Sequence, residues 1–312
     1  MSTTQPVLSI VTPTYQRLTA LRRSLPDRLM LVEQLGPRVE LVVSDNASTD
    51  GTWDYLQEVC AGRPGVRIRR EPLLLPSEPH FLNSGATAKG RYLLWLADDD
   101  AIYPEHFAAL VDLLETAERP FYYLPFEGVT EPDQANPAVL RPDGPLAVRE
   151  LPTNSLAAAL ILHATAFRST SVWRLEVLRP YFERWPDWID TCYCAWWSTL
   201  DVMADQETLC AFDKLFGYGN RWDDIEKRVP LLDVCALGRL KVWAGLHSLA
   251  MRRTLAPVLA PVVVAGLADC PGWRAKLAGA VKLGRVAPSL VLRGLAGEAC
   301  RRARRRLGLG PG

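Results

Sequence analysis

The sequence predicts an α/β fold: a mostly parallel sheet with helices on both faces, followed by a basic helical C-terminal region. Three observations carry this. Short apolar runs rich in β-branched residues alternate with helical-period segments over roughly residues 7–115. The connections between them are short, which favours parallel strands joined by crossover helices and buried on both faces. From about Pro230 the pattern turns helical, Ala/Leu/Val-rich and basic. With 312 residues, 48% of them hydrophobic and 23% charged, the chain can bury one large core and carry an appendage.

Leu8–Thr12 (LSIVT) reads as a buried strand that Pro13 leads into a loop. From Leu18 to Leu35, Leu21, Leu25, Leu29 and Val32 recur at helical spacing, with Pro26 as an internal irregularity that can kink the helix or start a new turn. Val39–Val43 (VELVV) is a second strand, running into the polar loop SDNASTDGT and a helix over about Thr52–Val59. Val66–Arg69 is a weak third strand. Ala86–Lys89 reads as the end of a helix stopped by Gly90, and Arg91–Leu96 (RYLLWL) as a fourth strand that runs straight into Asp98-Asp99-Asp100. Pro104 opens a helix to about Glu115. Residues 130–153 hold five prolines and read as a loop, and residues 155–225 as a second, aromatic-rich α/β stretch. The most apolar later stretch, LAPVLAPVVVAGLA at Leu255–Ala268, has 14 residues and two prolines, too short a run to span a bilayer.

The net charge of +1 hides a split. Residues 238–312 hold 14 Lys/Arg against 2 Asp/Glu, a net of +12, so residues 1–237 carry −11. The overall balance argues against a general nucleic-acid binder, whereas the basic tail calls for an anionic partner. The seven cysteines are scattered and odd in number, as expected of free thiols in a reducing compartment. The N-terminus MSTTQPVLSIV has neither a basic n-region nor a long apolar h-region, so no signal peptide is expected.

In open parallel sheets, ligands bind at the carboxyl ends of the strands. Three polar segments fall there: Thr12–Arg17, Ser44–Thr52 and Asp98–Asp100. Three adjacent carboxylates repel one another, so their cluster favours a bound cation or partial protonation. One or two carboxylates with diphosphate oxygens suit Mg²⁺ or Mn²⁺. The same triplet also suits a solvated acidic turn ahead of the helix at Pro104. Asp45, at a strand end, can accept hydrogen bonds from a base or ribose, while Asp50 suits a helix cap beside Gly51. In TPTYQR, Tyr15 offers a flat face for a base and Arg17 a cation for phosphate.

Taken together and in this order, SIVTPTYQR, ELVVSDNASTDGT and GRYLLWLADDD resemble glycosyltransferase family 2, and most of all its abequosyltransferase-like branch. The resemblance is close over residues 7–115 and loose over 116–225. It implies a GT-A fold, with a domain over residues 1–229 made of a nucleotide-binding half (1–115) and an acceptor half (116–229), then the basic helical region 230–312. It implies an inverting transfer from a nucleotide-diphospho-sugar, a Mn²⁺ or Mg²⁺ cofactor, and a glycan or lipid-linked saccharide acceptor in surface polysaccharide synthesis. Carried over by position, Thr12, Pro13, Tyr15 and Asp45 would hold the nucleoside, with Arg17 beside them as the cation for phosphate. The first acidic position of the family's common D-x-D-D form falls on Ala97. That departure leaves the metal to Asp99 and Asp100, and turns Asp98 towards the donor sugar or ribose.

The resemblance also places a carboxylate base in the second half, within FERWPDWIDTC. Asp190 is the first candidate and Asp187 the second, although either also suits a helix cap, and Ile189-Asp190 stands where the family commonly has Glu-Asp. Trp185, Trp188, Trp196 and Trp197 can form a platform for apolar sugar faces or be ordinary core residues. His163 is more readily structural than catalytic. Arg221 and Trp222 could close over the donor.

CRRARRRLGLG places five arginines in six positions and, with the apolar helical stretches before it, suits peripheral attachment to an anionic leaflet on the cytoplasmic side. A solvated basic face or an oligomer contact would use the same residues. RNA binding is disfavoured because aromatic interleaving is missing. Two other functions use the same nucleotide-binding half. A nucleotidyltransferase would want a Gly-rich basic loop near the N-terminus, and TPTYQR has no glycine. A nucleotide-sugar-binding protein without turnover is consistent with Ala97 and the missing Glu-Asp pair.

Overall fold

A computed structural model describes residues 5–116, 119–123, 127–129, 148–153, 171–183, 203–204, 208–212, 216–219, 237–268 and 270–306. The strands are β1 (Leu8–Thr14), β2 (Val39–Asp45), β3 (Val66–Arg70), β4 (Tyr92–Trp95), β5 (Ala101–Ile102), β6 (Phe121–Tyr123), β7 (Glu127–Val129), β8 (Val148–Pro152), β9 (Ser171–Arg174), β10 (Thr208–Phe212) and β11 (Phe216–Gly219). The helices are α1 (Leu18–Leu35), α2 (Thr52–Cys60), α3 (Ser77–Ala86), α4 (Pro104–Thr116), α5 (Leu175–Glu183), α6 (Gly238–Gly245), α7 (Leu249–Ala268), α8 (Gly272–Val286) and α9 (Pro288–Arg306). The described residues group into two compact units. One runs to Leu151 and adds β9, α5, β10 and β11; the other contains α6–α9. The expected boundary at 229–230 lies outside the described residues.

The first unit is built on an eight-stranded sheet of order β3-β2-β1-β4-β9-β6-β10-β8. β3-β2, β2-β1, β1-β4 and β6-β10 are parallel, and β9 is antiparallel to both β4 and β6. The sheet is therefore mixed but mostly parallel, as the alternating pattern predicts. β1 and β2 are buried at every residue, which is why their sequences read as continuous apolar runs and not as an alternation. β3 (VRIRR) is the edge, and its arginines discourage pairing with another chain.

Two polar residues lie inside the central pair. Ser9 and Glu40 face each other in register, and Ser9 Oγ donates to Glu40 Oε1 at 2.5 Å. The Lys89 N–H and Arg67 also donate to Glu40, and the Gly90 N–H donates to Ser9 Oγ at 2.7 Å. Burial opposes Glu40 ionisation, but these donors outweigh it and hold its pKa below the ordinary value. A Cβ on Gly90 would sit 2.7 Å from Ser9 N, so the close approach of the bend before β4 to β1 admits only glycine.

The α1 bounds coincide with the expected segment, and Leu21, Leu25, Leu29 and Val32 are all buried. Pro26 lies within this one helix and does not begin a new one. α3 ends earlier than expected, at Ala86, because Thr87 turns back onto Ser84 O through both its N–H and its hydroxyl. Its Gly85 packs on the indole of Trp95, where a Cβ would come within 2.3 Å of the ring. A second sheet, β5-β11-β7, follows the acidic triplet and sets Gly217 opposite Ala101. β5 is too short to leave a periodicity that sequence reading can find.

In the second unit, α7 runs 20 residues, longer than the 14-residue apolar stretch, because it begins at Leu249 and takes in Arg252, Arg253 and Thr254 ahead of Leu255; Pro257 and Pro261 lie inside the helix. By length and composition alone it could cross a membrane, and it is the only such helix among the described residues. Met251, Leu255, Leu259 and Val263 form its buried stripe, and Ala260 meets Gly294 of α9 so closely that a Cβ there would lie 2.6 Å from the Ala260 carbonyl oxygen. Cys60, Cys270 and Cys300 are free thiols.

Candidate donor site at the strand ends

β1, β2 and β4 end side by side and release the three polar segments at one edge of the sheet. The first two loops are latched together. The Asn46 N–H donates to Thr14 O, the Gln16 N–H to Ser48 Oγ, and Gln16 Nε2 to Thr49 Oγ1. Gln16 and Ala47 at the loop tips hold left-handed backbone, with φ of 54° and 58°. Such conformations cost about 1–3 kcal/mol each in non-glycine residues and cluster at ligand sites. Asp50 accepts from Leu18 N and from both the N–H and the hydroxyl of Thr52, so it ties the start of α2 to the start of α1.

The acidic turn rests on α1. Arg28 is fully buried; its Nη1 donates to Thr12 Oγ1 at 2.7 Å, and its Nη2 to Ala97 O at 2.5 Å and Asp100 O at 2.9 Å. Ser24, one helical turn earlier, donates to Asp98 O at 2.6 Å. Three of the four carbonyls of Ala97–Asp100 are thus held by one helix. Burial works against the Arg28 charge, while Asp100, Asp98 and Asp99 support it. Sequence reading missed both residues. The signal was present as Ser24 and Arg28 interrupting the apolar stripe Leu21-Leu25-Leu29, where a polar residue must find buried partners.

The three carboxylates differ in access. Asp98 is buried; its Oδ2 accepts from Thr14 Oγ1 at 2.6 Å, and Arg17 Nε stands 3.8 Å from its Oδ1. Burial and the neighbouring Asp99 push its pKa well above the ordinary carboxylate range, against Arg17, Thr14 and Arg28. Asp99 has a side chain 19% exposed, with Arg17 Nη2 at 3.3 Å, whereas Asp100 is 1% exposed. Of the two expected metal ligands, Asp99 is the accessible one and Asp100 is buried, its backbone carbonyl held by Arg28.

The nucleotide residues divide in the same way. Tyr15 is 42% exposed and Arg17 is partly exposed. The Thr12 hydroxyl is fully buried and accepts from Arg28, so its side chain braces the turn. Pro13 is buried within β1. Asp45 is fully covered, its carboxylate taking the Ser48 N–H and pairing with Arg70 Nε at 3.2 Å. Arg70 also lies over the Trp53 ring, 5.7 Å from its centroid. The Asn46 side chain exchanges two hydrogen bonds with the Leu75 backbone and so fixes the loop after β3. Asp187, Asp190, His163, Trp185, Trp188, Trp196, Trp197, Arg221 and Trp222 lie outside the described residues.

Beside this site, Ser44 Oγ meets His80 Nε2 at 2.9 Å. Burial pushes the His80 pKa down to about 4. Its unfolded value is near 6.5, so the unfolded chain binds the extra proton. Stability is full above pH 6.5 and falls as pH drops towards 4, by about 3 kcal/mol in all. The raised Asp98 works in the opposite direction, losing stability as pH rises through its folded pKa. Only a difference measurement isolates the imidazole. Chemical unfolding of the wild type and His80→Gln over this range is expected to show a wild-type acid slope that the variant lacks. Parallel slopes would place His80 in solvent.

A parallel β3-β2-β1-β4 half with a braced acidic turn following β4 defines a GT-A fold. The chain belongs to glycosyl transferase family 2, whose model matches residues 9–172. It is 31% identical over 112 residues to abequosyltransferase RfbV of Salmonella typhimurium strain LT2, covering 35% of this chain and 33% of the relative. The matched part is thus about a third of that relative's length. Residues 1–349 of S. aureus TarS, solved with UDP, superpose with a TM-score of 0.58 at 13% identity, covering 91% of this chain and 82% of that one. The mannosyltransferase PcManGT from Pyrobaculum calidifontis, solved with GDP-Man and Mn²⁺, gives 0.53 at 16% identity, covering 95% and 80%. At these identities the two structures establish the fold.

Proposed function

We propose that the protein moves a sugar from a nucleotide-diphospho-sugar, with inversion, to a glycan or lipid-linked acceptor in surface polysaccharide synthesis. The observation that carries this reading is the acidic turn held from below by Arg28 and Ser24, with Asp99 left accessible beside Arg17. The complexes of the two structural relatives, UDP in one and GDP-Man with Mn²⁺ in the other, support the same donor class.

The donor set suits a hard cation that takes one or two carboxylates and completes its shell with diphosphate oxygens. Asp99 is the carboxylate to hold Mn²⁺ or Mg²⁺, which when bound supplies charge neutralisation for the departing diphosphate. Arg17, which contacts Asp98 and Asp99, would be the cation to donate to phosphate oxygens. Tyr15 offers its face to the base. In the transfer, the acceptor oxygen attacks the anomeric carbon, the carbon–oxygen bond to the diphosphate breaks, and a carboxylate takes the acceptor proton. Asp190, with Asp187 second, is the proposed base, a role worth about 10²–10⁴-fold in rate.

The test is a thermal titration with nucleoside diphosphates, with and without Mn²⁺. A ligand specific for the folded state adds about 2.7 kcal/mol at a hundredfold excess over its Kd. Stabilisation by one diphosphate only when Mn²⁺ is present is the expected result. No shift with any diphosphate, under any metal condition, would overturn the reading. Binding without transfer to any acceptor would leave a nucleotide-sugar-binding protein.

A further inference from the structure

The helices of the second unit expose apolar surface that their own core does not use. α8 turns Gly279 and Leu283 inward. Its opposite side shows Trp273, Leu277 and Val281, which are 71%, 58% and 51% exposed. These residues recur every fourth position, so they form one stripe along a single helical face. α9 adds two further exposed side chains, Leu292 at 68% and Leu295 at 44%. Isolated exposed leucines need no explanation, but a helix-long stripe headed by tryptophan does.

The charges around the stripe indicate what covers it. On the α8 helical wheel Arg274 and Arg285 border one side of the stripe and Lys276 the other, and α8 holds no acidic residue. Arg274 lies along the Trp273 ring, 5.5 Å from its centroid. Among the described residues of α6–α9 the only acid is Glu298, and it is paired on its own helix with Arg301 and Arg302. An apolar stripe with an indole at one end and long basic side chains along both borders matches the boundary of an anionic bilayer. There the rings and leucines enter the acyl region and the cations reach the headgroups. A second copy meeting it through the same face would bring like charges together, and a neutral surface would leave the cations unmatched.

We infer that α8, through Trp273, Leu277 and Val281, is the insertion face by which the protein docks on a membrane bearing anionic lipid, with α9 adding Leu292 and Leu295. This goes further than attachment by the terminal arginine run, because it makes the apolar stripe the anchor and the arginines an electrostatic supplement. The inference stands independently of the transferase reading, so diphosphate binding measured on the same preparation separates the failure of one from the failure of the other.

The test is co-sedimentation of the full chain with vesicles of phosphatidylcholine alone and of phosphatidylcholine and phosphatidylglycerol in equal parts. The wild type is expected to bind the mixed vesicles, to bind the neutral ones poorly, and to be released as salt shortens the Debye length from about 10 Å at 0.1 M to about 3 Å at 1 M. Leu277→Glu, an exposed position whose substitution leaves the fold intact, is expected to lose about tenfold or more in partitioning. Replacing the five arginines of 301–306 by glutamine is expected to weaken binding less than Leu277→Glu does. No binding to mixed vesicles overturns the inference. So does equal binding to both compositions, binding abolished by the arginine replacement but untouched by Leu277→Glu, or a stable dimer that Leu277→Glu dissociates.

Discussion

Replacing Arg28 with methionine is expected to lower stability by about 3–5 kcal/mol, the range for removing one partner of a buried charged network. The loss has three parts. The hydrogen bonds to Thr12 Oγ1, Ala97 O and Asp100 O vanish. Those oxygens remain buried with fewer donors. The buried Asp98 and Asp100 lose the nearest fully buried cation. Arg28→Lys is expected to recover only part of this, because an ammonium cannot span three acceptors as a planar fork does. The check is the urea midpoint of each variant, read beside Mn²⁺-dependent diphosphate binding under conditions where all are folded. A midpoint shift below about 1 kcal/mol for the methionine variant, typical of a surface substitution, would contradict the bracing role.

Asp99→Ala is expected to do the reverse, leaving stability nearly unchanged while lowering kcat/KM by about 10²–10³-fold, as for loss of one group aimed at developing charge. The stability half follows from position: Asp99 gives up one partly exposed contact with Arg17, and surface ion pairs contribute about 0–1 kcal/mol. The activity half follows from its being the accessible carboxylate of the triplet. The measurement is transfer or donor hydrolysis at several Mn²⁺ concentrations, together with a melting curve. Full activity in a folded Asp99→Ala variant would move the metal away from this residue.

The sheet and its loops were legible because they are local. β1 and β2 announce themselves as apolar runs, α1 by its four-residue period, and the three polar segments by falling where those runs stop. Adjacent parallel strands then align their ends without further information, which puts TPTYQR, SDNASTDGT and the acidic triplet at one edge. β5 and the contact it makes with β11 were not legible, since two residues carry no period and their partner lies more than a hundred residues away. α7 was under-read because its first six residues, LAMRRT, carry two arginines and fall outside the apolar run.

Which polar residue faces solvent is a different kind of question. Thr12, Asp45, Asp98, Asp99 and Asp100 all stand at strand ends, and composition treats the three aspartates of the triplet as equals. Their difference comes from Arg28 and Ser24 reaching up from α1, and from Arg17 and Arg70 reaching across from neighbouring segments. The alternation of strands and helices up to the acidic turn, the place of that turn and the charge of the tail depend on neighbours in the chain, and were readable from it. That Asp99 is accessible while Asp100 and Thr12 are buried, and that Trp273, Leu277 and Val281 point away from the helical core, follows from packing alone. Access is set by residues distant in sequence that compete for the same buried space and the same hydrogen bonds.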